Sequence, residues 1–127
     1  MKRSMMQTYV NGSDKAVRLY EEAFGARLTA SYPNDDGTFF HAELDIEGEI
    51  LAVSERNSMY AIEGGTETGN VMQFCLEYGE GGEEKVKKAY STLKEGAKVH
   101  FPLAECEYSP LMFDLTDRFG VRWCVFI

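Results

Sequence analysis

The sequence predicts an α+β fold: two tandem strand–helix–strand–strand–strand (βαβββ) modules forming a curved mixed sheet with a central cleft. Three observations carry that expectation. Residues 16–28 (AVRLYEEAFGARL) and 86–99 (VKKAYSTLKEGAKV) are both amphipathic, and both close on Gly-Ala followed by a basic and an aliphatic residue. A further 23 residues past Gly25, Gly48 opens GEILAVSE, and 24 residues past Gly96, Gly120 opens GVRWCVFI. Between these landmarks the chain alternates apolar and polar residues, the signature of strands buried on one face and covered by helices there.

Each element has a local reason. Residues 5–10 (MMQTYV) read as a short strand, and Asn11-Gly12 turns the chain. Ser13 is a candidate helix N-cap, since its hydroxyl can accept from a backbone N–H that lacks an intrahelical partner. Ala16, Val17, Tyr20, Ala23 and Phe24 then fall on one helical face, and Gly25 ends the helix in the left-handed conformation. Arg27–Tyr32 is a strand, and Pro33-Asn34-Asp35-Asp36-Gly37 is a turn. Phe40, Ala42, Leu44 and Ile46 alternate with His41, Glu43 and Asp45, a half-buried strand that returns through Glu47-Gly48 into residues 49–54.

Residues 55–70 (ERNSMYAIEGGTETGN) lose all periodicity and carry three glycines, so they are expected to link the modules or to cover the cleft. The organisation is thus one domain, with module one at about residues 1–54 and module two at about 71–127. In module two, VMQFCLEY (71–78) is a strand, and Val86, Ala89, Tyr90 and Leu93 form the buried stripe of a helix capped by Gly96. Lys98–Leu103 is a strand and Ala104–Pro110 a loop. Leu111–Leu115 and Val121–Ile127 close a hairpin around Asp117-Arg118-Phe119-Gly120.

Composition excludes several function classes. At 127 residues and 44% hydrophobic, the chain can bury a core without disulfide or metal staples. A net charge of −8 argues against nucleic acid, which requires a basic patch, and against an anionic membrane surface. Met1-Lys2-Arg3-Ser4 is not followed by the apolar run of a secretory signal, and no long apolar stretch suits a membrane span. Cys75, Cys106 and Cys124 are odd in number and lack CxxC or Cys/His spacing, which fits free thiols in a reducing cytoplasm.

Four segments carry a family resemblance in the order they occur. They are Leu19-Tyr20-Glu21-Glu22-Ala23-Phe24-Gly25, His41-Ala42-Glu43-Leu44, Met72-Gln73-Phe74-Cys75-Leu76-Glu77 and Asp117-Arg118-Phe119-Gly120-Val121-Arg122-Trp123. With them the chain resembles the vicinal oxygen chelate superfamily of glyoxalase I, extradiol dioxygenases and the fosfomycin and bleomycin resistance proteins, and in particular its PhnB-like branch. Some members of that branch carry a ubiquinone-methyltransferase label, but this chain has no strand-to-helix Gly-rich turn suited to a nucleotide-like cofactor.

The resemblance implies metal ligands on the first and last strands of each module. Carried over by spacing, those positions are Met5, Ala52, Gln73 and Cys124, with Gln7 in place of Met5 after a two-residue slip. Divalent ions of that superfamily want at least three convergent carboxylates, imidazoles or oxygen donors, and this set offers at most two amides. No metal and no cofactor are therefore expected.

The candidate ligand-binding residues are Gln7, His41, Gln73, Cys75, Tyr108 and Cys124. His41 and Glu43 share a strand face, either as a base or polar ligand contact in the cleft or as a solvated polar pair. His100 has no such partner in its strand. Gln73 and Cys75 should face the cleft while Met72 and Phe74 face the core, and the repeat should bring Gln7 into the same space as Gln73. Tyr108 is a candidate aromatic lid, whereas Trp123 alternates with Cys124 and belongs to the core. A packed Cys124 is favoured over a nucleophile, because only Arg122 could stabilise its thiolate. The reading is a homodimeric protein that binds a small organic molecule in a metal-free cleft. The alternative is a metal-dependent lyase, isomerase or dioxygenase.

Overall fold

A computed structural model describes residues 1–56 and 72–127. The chain divides into two compact units, Met1–Thr66 and Glu67–Ile127. The first contains β1 (Met6–Val10), α1 (Ser13–Phe24), β2 (Arg27–Pro33), β3 (Phe39–Ile46) and β4 (Glu49–Glu55). The second contains β5 (Phe74–Glu77), α2 (Glu83–Leu93), β6 (Lys98–Cys106), β7 (Ser109–Thr116) and β8 (Arg122–Phe126). Each unit is βαβββ, as the internal repeat predicts.

Each unit builds its own four-stranded mixed sheet, in the orders β1-β4-β3-β2 and β5-β8-β7-β6. In both, the first strand runs parallel to the last, and the remaining pairs are antiparallel. The parallel pair requires a crossover, and in the first unit α1 packs on all four strands. Val17, Tyr20 and Phe24 of α1 are buried, as are Ala42 and Leu44 of β3 and their register partners Val53 and Leu51 of β4. In the second unit α2 packs on β7 and β8. Val86, Ala89 and Leu93 are buried there together with Phe113, Leu115, Trp123 and Val125. Tyr90 is half-buried, its ring 5.1 Å from that of Phe113. Each fully buried Val, Leu or Phe among them contributes about 1.5–3 kcal/mol on leaving water.

The turns follow their side-chain chemistry. Glu47 and Gly48 both take positive φ, 50° and 101°, as a two-residue hairpin of matching twist requires, and Asp45 Oδ1 accepts from the Gly48 N–H at 2.6 Å. The buried Asp117 organises the β7–β8 turn. Its Oδ1 accepts from the N–H groups of Phe119 and Val121, while Oδ2 accepts the indole N–H of Trp123 at 2.9 Å.

Several boundaries differ from expectation. Ser13 is the first residue of α1, not its N-cap; Gly12 holds that position at φ 88° and the Ser13 hydroxyl makes no cap bond. Capping comes instead from Glu55 at the end of β4, a residue expected in the linker. Its carboxylate accepts from the N–H groups of Gly12 and Ser13 and from Ser13 Oγ. A carboxylate suits this place because the helix N-terminus carries a partial positive charge. The rest of the expected linker, from residue 57 on, lies outside the described residues, as does Val71.

β5 starts at Phe74, so the alternation predicted from residue 71 does not extend to Met72, which is 68% exposed and not in the core. β6 does not stop at Leu103 but continues to Cys106. It is an edge strand with register shifts between Val99 and Cys106, where Pro102 can lack an N–H without breaking a central ladder. The expected loop 104–110 shrinks accordingly to the turn between β6 and β7 that carries Tyr108.

Candidate functional site

Strand alternation gives each sheet a face turned away from its helix, and the polar residues gather there. On the first sheet, Gln7 of β1, Ala52 of β4 and Glu43 of β3 form one register row. Tyr32 of β2 pairs with His41 of β3 two residues along, their rings 6.2 Å apart. Gln7 Nε2 donates to Ser54 Oγ at 2.9 Å and to the Thr8 carbonyl at 3.1 Å. His41 Nε2 lies 3.0 Å from Glu43 Oε2, so the pair inferred from strand spacing does form.

Glu43 has a second and stronger partner. The Arg3 guanidinium donates to both of its carboxylate oxygens, Nη2 reaching Oε2 at 2.9 Å. Glu43 is buried at 6% exposure, yet these donors favour its charged form. Its pKa is held down at about 2, first by the Arg3 hydrogen bonds and then by His41, against the opposing effect of burial.

On the second sheet the equivalent row is Cys75 of β5, Cys124 of β8 and Asp114 of β7. Asp114 is a hub. Its Oδ1 accepts from Arg122 Nε at 3.1 Å, and its Oδ2 accepts from Arg122 Nη2 at 3.1 Å and from Gln73 Nε2 at 3.2 Å. The guanidinium is thereby stabilised and its pKa raised. Cys75 Sγ lies 3.7 Å from Gln73 Oε1. The Tyr108 hydroxyl lies 3.8 Å from Cys124 Sγ, and its ring meets Phe126 edge-on at 5.4 Å.

The thiol and phenol here are not poised as nucleophiles. Burial pushes the Cys124 thiol up, outweighing the hydrogen bond to Tyr108 that favours its thiolate. Tyr108 is pushed up to about 12, first through its hydrogen bond with Cys124 and then by desolvation. Cys75 is exposed, and Cys106, expected in a loop, is the last residue of β6. His100 is held by Thr116 Oγ1 at 2.8 Å.

Of the six candidate residues, Gln73, Cys75, Tyr108 and Cys124 form one contiguous group on the second sheet. Gln7 and His41 share a face of the first sheet without touching. The register also corrects one equivalence. Gln7 pairs with Ala52 as Cys75 pairs with Cys124, so Gln7 is the counterpart of Cys75, and the counterpart of Gln73 is Met5. Sequence reasoning missed Arg3 and Asp114. Asp114 had a readable signal, a single carboxylate inside the apolar run LMFDL. Arg3 had none.

The residues at the superfamily's ligand positions do not fit a divalent metal. Ala52 offers only a methyl group, Met5 a thioether, Gln73 a single neutral amide oxygen, and Cys124 a thiol with a raised pKa. Among the described residues, no three His, Cys, Asp or Glu side chains converge as a metal site would need.

Comparison with known proteins adds a family and a fold. The family model described as Glyoxalase/Bleomycin resistance protein/Dioxygenase superfamily matches residues 4–125. No curated protein sequence matches. Among solved structures, a PhnB protein from Bacillus cereus superposes with a TM-score of 0.79 at 18% identity, covering 98% of each chain. Protein PA1353 from Pseudomonas aeruginosa gives 0.73 at 21% identity, over 99% of this chain and 97% of that one. The fosfomycin resistance protein FosX from Listeria monocytogenes, complexed with Mn(II) and sulfate, gives 0.65 at 12% identity, over 98% and 87%.

Proposed function

The chain belongs to the glyoxalase/bleomycin resistance protein/dioxygenase superfamily, and from that premise we propose that it binds a small organic molecule without a divalent metal. The helix-distal faces of its sheets are the ligand surface. One observation carries the reading: the polar groups on these faces are bonded to one another, while the superfamily's ligand positions hold Met5, Ala52, Gln73 and Cys124. Such groups orient a ligand by hydrogen bonds, and Tyr108, 63% exposed beside Phe126, offers it an apolar surface. Gln7, His41, Gln73, Cys75, Tyr108 and Cys124 are the proposed contacts.

Three further properties belong to the same proposal: a homodimer, a cytoplasmic location and no nucleic-acid or membrane partner. Free thiols and the charge of −8 support the last two. Consistent with this, no described helix is long and apolar enough to cross a membrane.

A thermal-shift screen of a small-molecule library tests the proposal, because a ligand that binds only the native state raises stability by mass action. Gln73→Leu should leave the stability of the free protein within about 1 kcal/mol and weaken a hit by about tenfold or more, roughly 1.4 kcal/mol. Hits that bind only after a divalent ion is added would favour the metal-dependent enzyme instead.

A further inference from the structure

The helix-distal face of the first sheet holds a charge arrangement that its fold does not require. Glu43 lies at the centre of that face with its side chain 8% exposed, while the guanidinium that neutralises it belongs to a side chain 50% exposed. Arg3 stands in residues 1–5, which precede β1 and form no strand. The carboxylate is thus fixed by the central strand β3, and its cation is carried by a segment outside the ladder. The pair is bidentate, the geometry by which a planar cation with parallel N–H groups recognises a carboxylate.

The neighbouring groups favour the same kind of guest. A backbone carbonyl only accepts, so the bond from Gln7 to the Thr8 carbonyl fixes which end of the amide is nitrogen. Both bonds of Gln7 to described residues use that nitrogen, and among those residues its Oε1 remains to accept. Ala52, between Gln7 and Glu43 in the register row, contributes only a methyl group. Gln7 and Glu43 are therefore two strand spacings apart, about 10 Å, with no large side chain on the strand between them. Beside Glu43 stands His41, and across the β2–β3 pair from His41 stands the ring of Tyr32, 58% exposed. A carboxylate, an amide oxygen and an aromatic ring suit a flat cation that donates in its plane and stacks through its face.

We infer that Glu43, with Gln7 and Tyr32 around it, is a site for the guanidinium or amidinium group of a small organic ligand, and that Arg3 occupies it in the free protein. The inference rests on the ligand-binding reading above and names the ligand's chemical class. Departure of Arg3 alone would leave the Glu43 carboxylate buried with His41 as its one bonded partner among the described residues, so the incoming cation must replace the guanidinium it displaces. Arg3 is then a tethered competitor. It lowers the apparent affinity of every ligand by the fraction of molecules in which it is docked.

Benzamidine, a planar amidinium on an aromatic ring, is the probe. Calorimetric titration into the wild-type protein, Arg3→Ala and Arg3→Ala/Glu43→Gln should show at least tenfold tighter binding to Arg3→Ala than to wild type, and loss of that binding in the double variant. Equal affinity in wild type and Arg3→Ala, no binding to either, or retention in the double variant would overturn the inference. Should Arg3→Ala fail to fold, the side-chain 15Nε resonance of Arg3 in the wild-type protein replaces it. Benzamidine should move that signal to the position of a solvated arginine, and an unmoved signal would overturn the inference. Library hits that are neutral or anionic and survive Glu43→Gln would overturn it too, while leaving small-molecule binding intact. A library with no hits together with no benzamidine binding would remove both.

Discussion

Glu43 and Asp114 occupy the same register position in their two sheets. Each lies on the helix-distal face of the third strand of its module, opposite Ala52 or Cys124, the residues four past the turn glycines Gly48 and Gly120. Each accepts two hydrogen bonds from one guanidinium, Arg3 for Glu43 and Arg122 for Asp114. The repeat therefore extends past the helices and turn glycines to a charged pair on each helix-distal surface. The two cations differ in origin: Arg122 is anchored in β8, whereas Arg3 precedes β1.

The Glu43 pair makes stability fall in acid. Its folded pKa of about 2 is lower than the ordinary value of 4.5, so the folded protein holds its charged form more strongly than the unfolded chain does. That contribution is complete above the unfolded pKa and declines as pH falls from about 4.5 to about 2. Urea unfolding between pH 7 and pH 2 should show this decline in the wild-type protein and a shallower one in Glu43→Gln. Identical slopes would mean that Glu43 is not held in its charged form.

Phe24→Ala should destabilise the protein by about 3–5 kcal/mol, because Phe24 is buried at the C-terminal end of α1 and the site cannot fully collapse. Chemical denaturation measures this directly. A loss under about 1 kcal/mol would show that the face of α1 is misassigned.

Tyr108 should ionise near pH 12, well above an ordinary tyrosine at 10. Absorbance of tyrosinate during alkaline titration, compared with Tyr108→Phe, isolates its transition. Cys124→Ala removes the first cause of the shift and should move that transition toward 10. A Tyr108 transition unchanged by Cys124→Ala would break the link between the two residues.

Both helices and the order of the strands were legible because they depend on periodicity, which local sequence records. Val17, Tyr20 and Phe24 repeat at helical spacing, and Phe40 to Ile46 alternate cleanly. Boundaries failed where periodicity is interrupted: the strand expected to end at Leu103 runs on to Cys106 at the sheet edge. Ser13 looked like a cap, but a carboxylate 42 residues away, Glu55, takes that role. The polar site was half legible for the same reason. His41 and Glu43 are two residues apart on one strand, so alternation alone pairs them. Arg3 and Glu43 are 40 residues apart, and Gln73 and Asp114 are 41 apart. Their pairing depends on register and on the path of the chain, which no spacing rule encodes.

Metal analysis of the purified, dialysed protein tests the central claim most directly, since FosX, similar in fold, is complexed with Mn(II), whereas Met5, Ala52, Gln73 and Cys124 do not make a set of donors for a divalent ion. The account predicts far less than one equivalent of nickel, zinc, iron or manganese, and a melting temperature unchanged by chelator. Roughly one equivalent surviving dialysis, with chelator lowering the melting temperature, would contradict it, because a metal bound by the native state contributes directly to folding.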